Sequence, residues 1–169
     1  VQMSLHYTPF GKEVIDMTRI GLYFAAKEPE HQYSTYSLSH GGKNIRIPAG
    51  VSDHKMSASH VFEDEIVLHG LRPHMHYRGK HMRMSVIYPN GTRADIINVP
   101  SYNFAWQPTY RLTEPMRLPA GSRVLIEGAF DNSEFNLGNP DPGAIVKGGA
   151  QSWDEMLIGY FSYHKATAI

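Results

Sequence analysis

The sequence contains no cysteine. That absence excludes disulfides, thiolate zinc sites, iron–sulfur clusters, thiol nucleophiles and cysteine-ligated blue copper together. It does not fix the redox compartment, because oxidising surroundings permit disulfides without requiring them. Charge of one sign is missing as well. The 169 residues carry 16 basic and 16 acidic side chains and no block of like charge. Nothing therefore marks a surface for nucleic acid or for an anionic membrane. Apolar runs such as "RVLIEGAF" fall far short of the roughly 20 residues that a membrane-spanning helix needs. No window shows an apolar stripe at helical spacing with caps at its ends. GxSxG, Walker, HExxH and dinucleotide-binding glycine patterns are absent too, which removes the commonest hydrolase and nucleotide-binding readings.

What is present is a period of two. The apolar fraction of 41% is enough for one domain with a real core. Strand-like segments run over 18–26 ("TRIGLYFAA"), 33–40, 43–50, 64–76 and 154–164, the fourth interrupted at Gly70 and Pro73. The clearest hairpin spans 81–100, with Asn90-Gly91 as its turn pair. Two more strands flank a Pro-Ala-Gly turn at 119–121, and 133–152 reads as a long Gly/Pro/Asn-rich loop. Strands recurring about every ten residues with turn chemistry between them predict an all-β fold, an antiparallel sandwich of jelly-roll or Greek-key type. Asn90-Gly91-Thr92 also fits a glycosylation sequon, but the hairpin already explains it. The chain opens at Val1 in a strand-like stretch, as expected of a processed product or a piece of a longer chain.

Ten histidines and eight methionines are the unusual part of the composition. Without cysteine, any bound metal must use imidazole, thioether or carboxylate. In "LRPHMHYRGKHM" (71–82), His74 and His76 stand two residues apart. In a strand such residues share a face about 6.6 Å apart, close enough to lean onto one ion. Two solvated strand histidines are the plain alternative. A third ligand has to come from elsewhere in the chain. Met156 in "SWDEMLIGY" is one candidate, and a His-His-Met set favours copper because a thioether is soft. The alternative is that Met156 simply opens the core face of the last strand. His6 reads as a strand histidine, and His164 reads as exposed. His54, His60, His69 and His81 show no defensible ligand spacing. Asp154 and Glu155 are adjacent, so they face opposite ways on a strand and make a poor acid/base pair.

"LRPHMHYRGK", followed about eighty residues later by "WDEMLIGYFSY", resembles the C-terminal catalytic domain of the copper type II, ascorbate-dependent monooxygenases. That family includes peptidylglycine α-hydroxylating monooxygenase and dopamine β-monooxygenase. The similarity is closest to bacterial members. The opening "LHYTPFGKEVIDMTRIGLYFA" is similar to the linker strand that joins two domains in that family. The resemblance implies a linker strand over 1–26, arriving from an N-terminal β-sandwich domain and packed on a copper-binding sandwich over 27–169. It implies one copper on His74, His76 and Met156, the site of oxygen chemistry. It makes His6 a lone ligand of a second copper. Arg72 and Tyr160 match positions that anchor a substrate carboxylate in the peptide-hydroxylating member. Ile158, Ser162 and Ser4 replace an asparagine, a methionine and a glutamine of that member. The implied activity is hydroxylation of an aliphatic C–H in a small-molecule or peptide substrate. It would use O2 and an external reductant such as ascorbate, in an extracellular or periplasmic setting. A non-catalytic copper-binding or electron-transfer module on the same fold is the alternative, and a purely structural sandwich a third.

Overall fold

The computed structural model describes Met3, Leu5 and residues 7–166. The chain divides into two compact units, 1–30 and 31–169. Among the described residues of the first there is no helix or strand. Its local order includes an Asp16 carboxylate that accepts hydrogen bonds from the Tyr7 hydroxyl (2.5 Å) and the Thr18 hydroxyl (2.6 Å). The strand expected at 18–26 is therefore not formed. A strand exists only through pairing, and this unit supplies no second strand to pair with.

The second unit is an antiparallel β-sandwich. Its strands are β1 (Ser34–Ser39), β2 (Arg46–Ile47), β3 (His54–Val61), β4 (Ile66–His74), β5 (Gly79–Ile87), β6 (Arg93–Val99), β7 (Tyr110–Leu118), β8 (Arg123–Phe130), β9 (Val146–Lys147) and β10 (Ile158–Lys165). One four-stranded sheet has the order β1-β10-β4-β7, the other β3-β8-β5-β6, and β2 pairs with β9 as a short ribbon. The expected hairpin is β5–β6. Gly91 takes φ 83° in its turn, a conformation that favours glycine, and the Asn90 side chain accepts the Thr92 N–H at 2.9 Å. Strand β3 escaped the sequence reading. Its half-buried positions include Met56, Ala58 and His60, too weakly apolar to register as alternation.

Leu38, Leu68, Leu71, Leu118 and Phe161 of the first sheet join Met82, Met84, Val86, Val124 and Ile126 of the second in one buried cluster. The sheets approach closely at Gly159 on β10. A Cβ there would lie 2.6 Å from Ile126 Cγ2 and 2.8 Å from Met84 Cε. The second sheet's strands also carry exposed ion pairs such as Arg83–Asp95 at 3.6 Å, each worth about 0.2–1 kcal/mol at most. They keep that surface hydrated and do not hold the sandwich shut.

Strand β4 is irregular in two places. Its pairing with β7 stops at Leu71↔Tyr110, whereas its pairing with β10 continues to His74↔Ile158. Pro73 thus sits where the strand has a neighbour on one side only, a position that tolerates a missing N–H. The register also shifts near His69. His69 Nε2 lies 2.8 Å from His164 Nδ1, so one ring donates to the other. His31 stacks on His164 at 4.0 Å. His164 is consequently buried, at 8% exposure, rather than exposed as its place near the chain end suggests. Burial, together with the neighbouring charges of His31, His69 and Arg117, lowers the His164 pKa below 6.5.

This packing has two measurable consequences. Gly159→Val should destabilise the sandwich by about 1–3 kcal/mol through overpacking, read as a lowered urea midpoint with an unchanged slope. For His164, the unfolded chain binds the proton more readily than the folded one. Its contribution to stability is therefore present above pH 6.5 and lost as pH falls below it. His164→Phe, which keeps the stacked ring, should flatten that dependence in urea midpoints taken between about pH 5 and pH 8.

Candidate metal centre

Antiparallel partners in register share a face of the sheet. Arg72 is paired with Tyr160 and His74 with Ile158, while Leu71, paired with Phe161, and Pro73, paired with Gly159, alternate to the other face. Leu71 and Phe161 point into the core. Arg72, His74, Ile158 and Tyr160 therefore line the outer face. His76 and Met156 lie beyond the last pair of this ladder, where the Glu155 backbone pairs with Gly148 instead, and His76 is buried at 5% exposure. The Arg72 guanidinium stacks 4.2 Å above the Tyr160 ring.

The two imidazoles stand nearly perpendicular, with centroids 5.1 Å apart. Each is held through Nδ1. His74 Nδ1 lies 2.6 Å from Gln107 Oε1, and the Gln107 amide nitrogen donates to the Phe104 carbonyl at 2.6 Å. That second bond fixes which end of the amide faces the ring, so His74 Nδ1 must carry the hydrogen. His76 Nδ1 lies 3.1 Å from the Asp154 carbonyl, an acceptor only, so it carries a hydrogen as well. Both rings are left with the lone pair on Nε2, the arrangement of a metal-ligating histidine whose other nitrogen is tied down. Burial lowers both pKa values below 6.5, against the opposing pull of Gln107 on His74 and of the Asp154 carbonyl on His76. Neutral imidazole is the form that binds a metal.

The backbone between and beyond the rings is fixed with equal care. The Tyr102 hydroxyl accepts the Met75 N–H and donates to the Met75 carbonyl, both at 2.9 Å. Burial pushes its pKa up to about 12. Glu155 is fully buried. Its carboxylate accepts the N–H groups of His76 (2.9 Å), Arg78 (2.6 Å) and Met156 (3.3 Å). Burial pushes the Glu155 carboxyl up to about 7, while those three N–H groups and the Arg78 charge act in the opposite direction. Arg78 is itself 2% exposed. It donates to the Asn132 side chain and to the Trp153 carbonyl, each at 2.8 Å, which ties the residues on either side of the 133–152 loop to the same centre.

Among the described residues, no three histidine or carboxylate side chains converge as a metal site. The two imidazoles fit an imidazole-binding metal such as copper. His6 lies outside the described residues. Sequence reasoning missed Gln107, Tyr102 and Glu155. The first two lie in the irregular 100–109 segment, where no spacing marks them. Glu155 was read only as half of a poor acid/base pair.

Comparison with known families matches residues 43–169 to the copper type II ascorbate-dependent monooxygenase, C-terminal domain. The chain belongs to that family. No curated protein matches the chain. Membership makes copper and ascorbate the cofactor and reductant of the family. The domain's place in the family also implies a further domain before it in the parent chain. Among the described residues, no helix is long and apolar enough to cross a membrane.

If Gln107 holds the His74 tautomer, Gln107→Leu should weaken copper binding by about 10–100-fold, as removal of such outer partners does elsewhere. A competition titration with a chelator of known affinity measures this.

Proposed function

We propose that this domain holds one copper ion on His74, His76 and Met156. In its full-length setting it would form the oxygen-reacting half of a monooxygenase that hydroxylates an aliphatic C–H. The observation that carries the reading is the pair of neutral imidazoles 5.1 Å apart, each with Nδ1 occupied and Nε2 left for a metal. Bound copper would supply one-electron chemistry with O2, drawing electrons from an external reductant. The chain's own residues provide position. Strand β4 carries His74 at its end, Glu155 holds the His76 backbone, and Gln107 and the Asp154 carbonyl stop the rings from turning. The Met156 thioether would favour the reduced ion.

Arg72 and Tyr160 form the substrate anchor in this reading. They lie on the same face, one same-face step along the strands from His74 and Ile158. The guanidinium is stacked on the phenol, which limits its rotamers and holds it ready for an anionic group. Ile158 stands between Met156 and Tyr160 as an apolar wall. The substrate is therefore an amphipathic molecule, with an anionic end on Arg72 and a hydrocarbon portion toward the histidines. His6 would contribute to a second, electron-supplying copper together with ligands from the preceding domain.

Copper reconstitution tests the site. The expected stoichiometry is one ion at the His74–His76 pair, abolished by His74→Ala or His76→Ala. Met156→Ile should lower copper(I) affinity while sparing copper(II). Unchanged copper(I) affinity would remove the thioether from the site. Ascorbate-dependent O2 uptake, measured on a chain that includes the preceding domain, tests the activity. Stoichiometric copper without uptake would leave a copper-binding or electron-transfer module.

A further inference from the structure

The β4–β10 ladder ends where the candidate ligands begin. Its last pair is His74↔Ile158. Beyond it, among the described residues no backbone hydrogen bond joins 75–78 to 154–157, and the Glu155 backbone pairs with Gly148 instead. The gap is filled by a side chain. Glu155 Oε2 accepts the N–H of His76 at 2.9 Å and that of Met156 at 3.3 Å, while Oε1 takes the N–H of Arg78 at 2.6 Å. A single oxygen atom thus touches the backbone of both residues.

We infer that Glu155 is a positioning residue: its carboxylate replaces the missing rung between the two strands and sets the reach between the His76 imidazole and the Met156 side chain. The inference rests on the copper site proposed for His74, His76 and Met156, and adds a separate claim about what holds the two ligand segments in relation. A direct backbone rung would draw the segments together. A carboxylate between them keeps them apart by the width of the group while still linking them. An ion held between side chains needs that added room. The environment is consistent with such a role. Taking a carboxylate out of water is costly, and this one is fully buried with N–H donors on both oxygens. A core that needed only to be filled would use an apolar side chain here.

Side-chain length, rather than charge, is then the decisive property. Aspartate retains the charge but is shorter by one C–C bond, about 1.5 Å. Hydrogen bonds already at 2.9 and 3.3 Å cannot both survive that retreat. Glutamine retains the length and one acceptor oxygen. With that oxygen on the His76–Met156 side, only the Arg78 bond is lost.

The experiment compares wild type, Glu155→Asp and Glu155→Gln, each shown to be folded by circular dichroism and loaded with copper(I). X-ray absorption reports copper–nitrogen and copper–sulfur scattering. Wild type and Glu155→Gln should show both, with Glu155→Gln less stable in urea. Glu155→Asp should keep the nitrogen signal, lose the sulfur signal and fall to the copper(I) affinity of Met156→Ile. Amide exchange in Glu155→Gln should stay slow at His76 and Met156 and speed up at Arg78. Sulfur scattering and wild-type affinity in Glu155→Asp would overturn the inference. So would loss of sulfur scattering from folded Glu155→Gln, or its persistence there while the His76 and Met156 amides exchange freely. Should Glu155→Asp fail to fold, the Glu155→Gln scattering and exchange decide alone. A wild type with no sulfur signal would instead overturn the assignment of Met156, a failure distinct from that of the Glu155 role.

Discussion

A carboxylate withdrawn from water has to be surrounded by donors, and the donors around Glu155 belong to the segments that build the candidate site. Its partners are the backbone N–H groups of His76, Arg78 and Met156. The Arg78 side chain extends the network to Asn132 and Trp153. Asn132 in turn accepts from Asn139 and donates to the carbonyls of Pro48 and Ala144. The turn after β4, the approach to β10 and the long loop before it thus share one buried polar network, and the described residues contain no buried side-chain polar atom without a partner. Such a network specifies geometry closely, because any displaced member leaves a polar group stranded in low dielectric.

The sandwich divides the labour between its faces. The inner faces hold the sheets together with leucine, isoleucine, valine, phenylalanine and methionine. Met75 belongs there, fully buried, while its neighbours His74 and His76 stand with their rings 5.1 Å apart, His76 covered to 5% exposure. Burial then lowers both imidazole pKa values, and their Nδ1 partners hold one tautomer. The result is a rigid pair of neutral ligands on a strand scaffold, the kind of preorganisation that a functional site needs.

Family membership agrees with this physical picture and adds what the geometry alone does not name, copper and ascorbate. The lack of cysteine narrows the ligand chemistry to imidazole, thioether and carboxylate. The Arg72–Tyr160 stack and the apolar Ile158 between Tyr160 and Met156 give the outer face a polarity gradient along the strands.

Much of this was legible from sequence, and the reasons are local. Alternation of period two and the Asn90-Gly91 turn determined the all-β class and the β5–β6 hairpin, because side-chain alternation is a property of the strand itself. The His-x-His spacing marked two neighbouring imidazoles as a candidate pair, because the chain itself keeps them close. Other features depended on contacts between distant parts of the chain. The sequence could not show that 18–26 would lack a strand partner, that the β3 pattern would pair with β8, or that His164 would be covered by His31. It could not show that Gln107, thirty-three residues from His74, would fix that ring, or that Glu155, seventy-nine residues from His76, would hold its backbone. Hydrogen bonds across such separations leave no periodic trace. The sequence by itself determined which donors exist and that two imidazoles are near neighbours. Only the tertiary structure decided which nitrogen each ring presents and what fixes the rings in place, because those depend on partners that come within about 3 Å only once the sheets have closed.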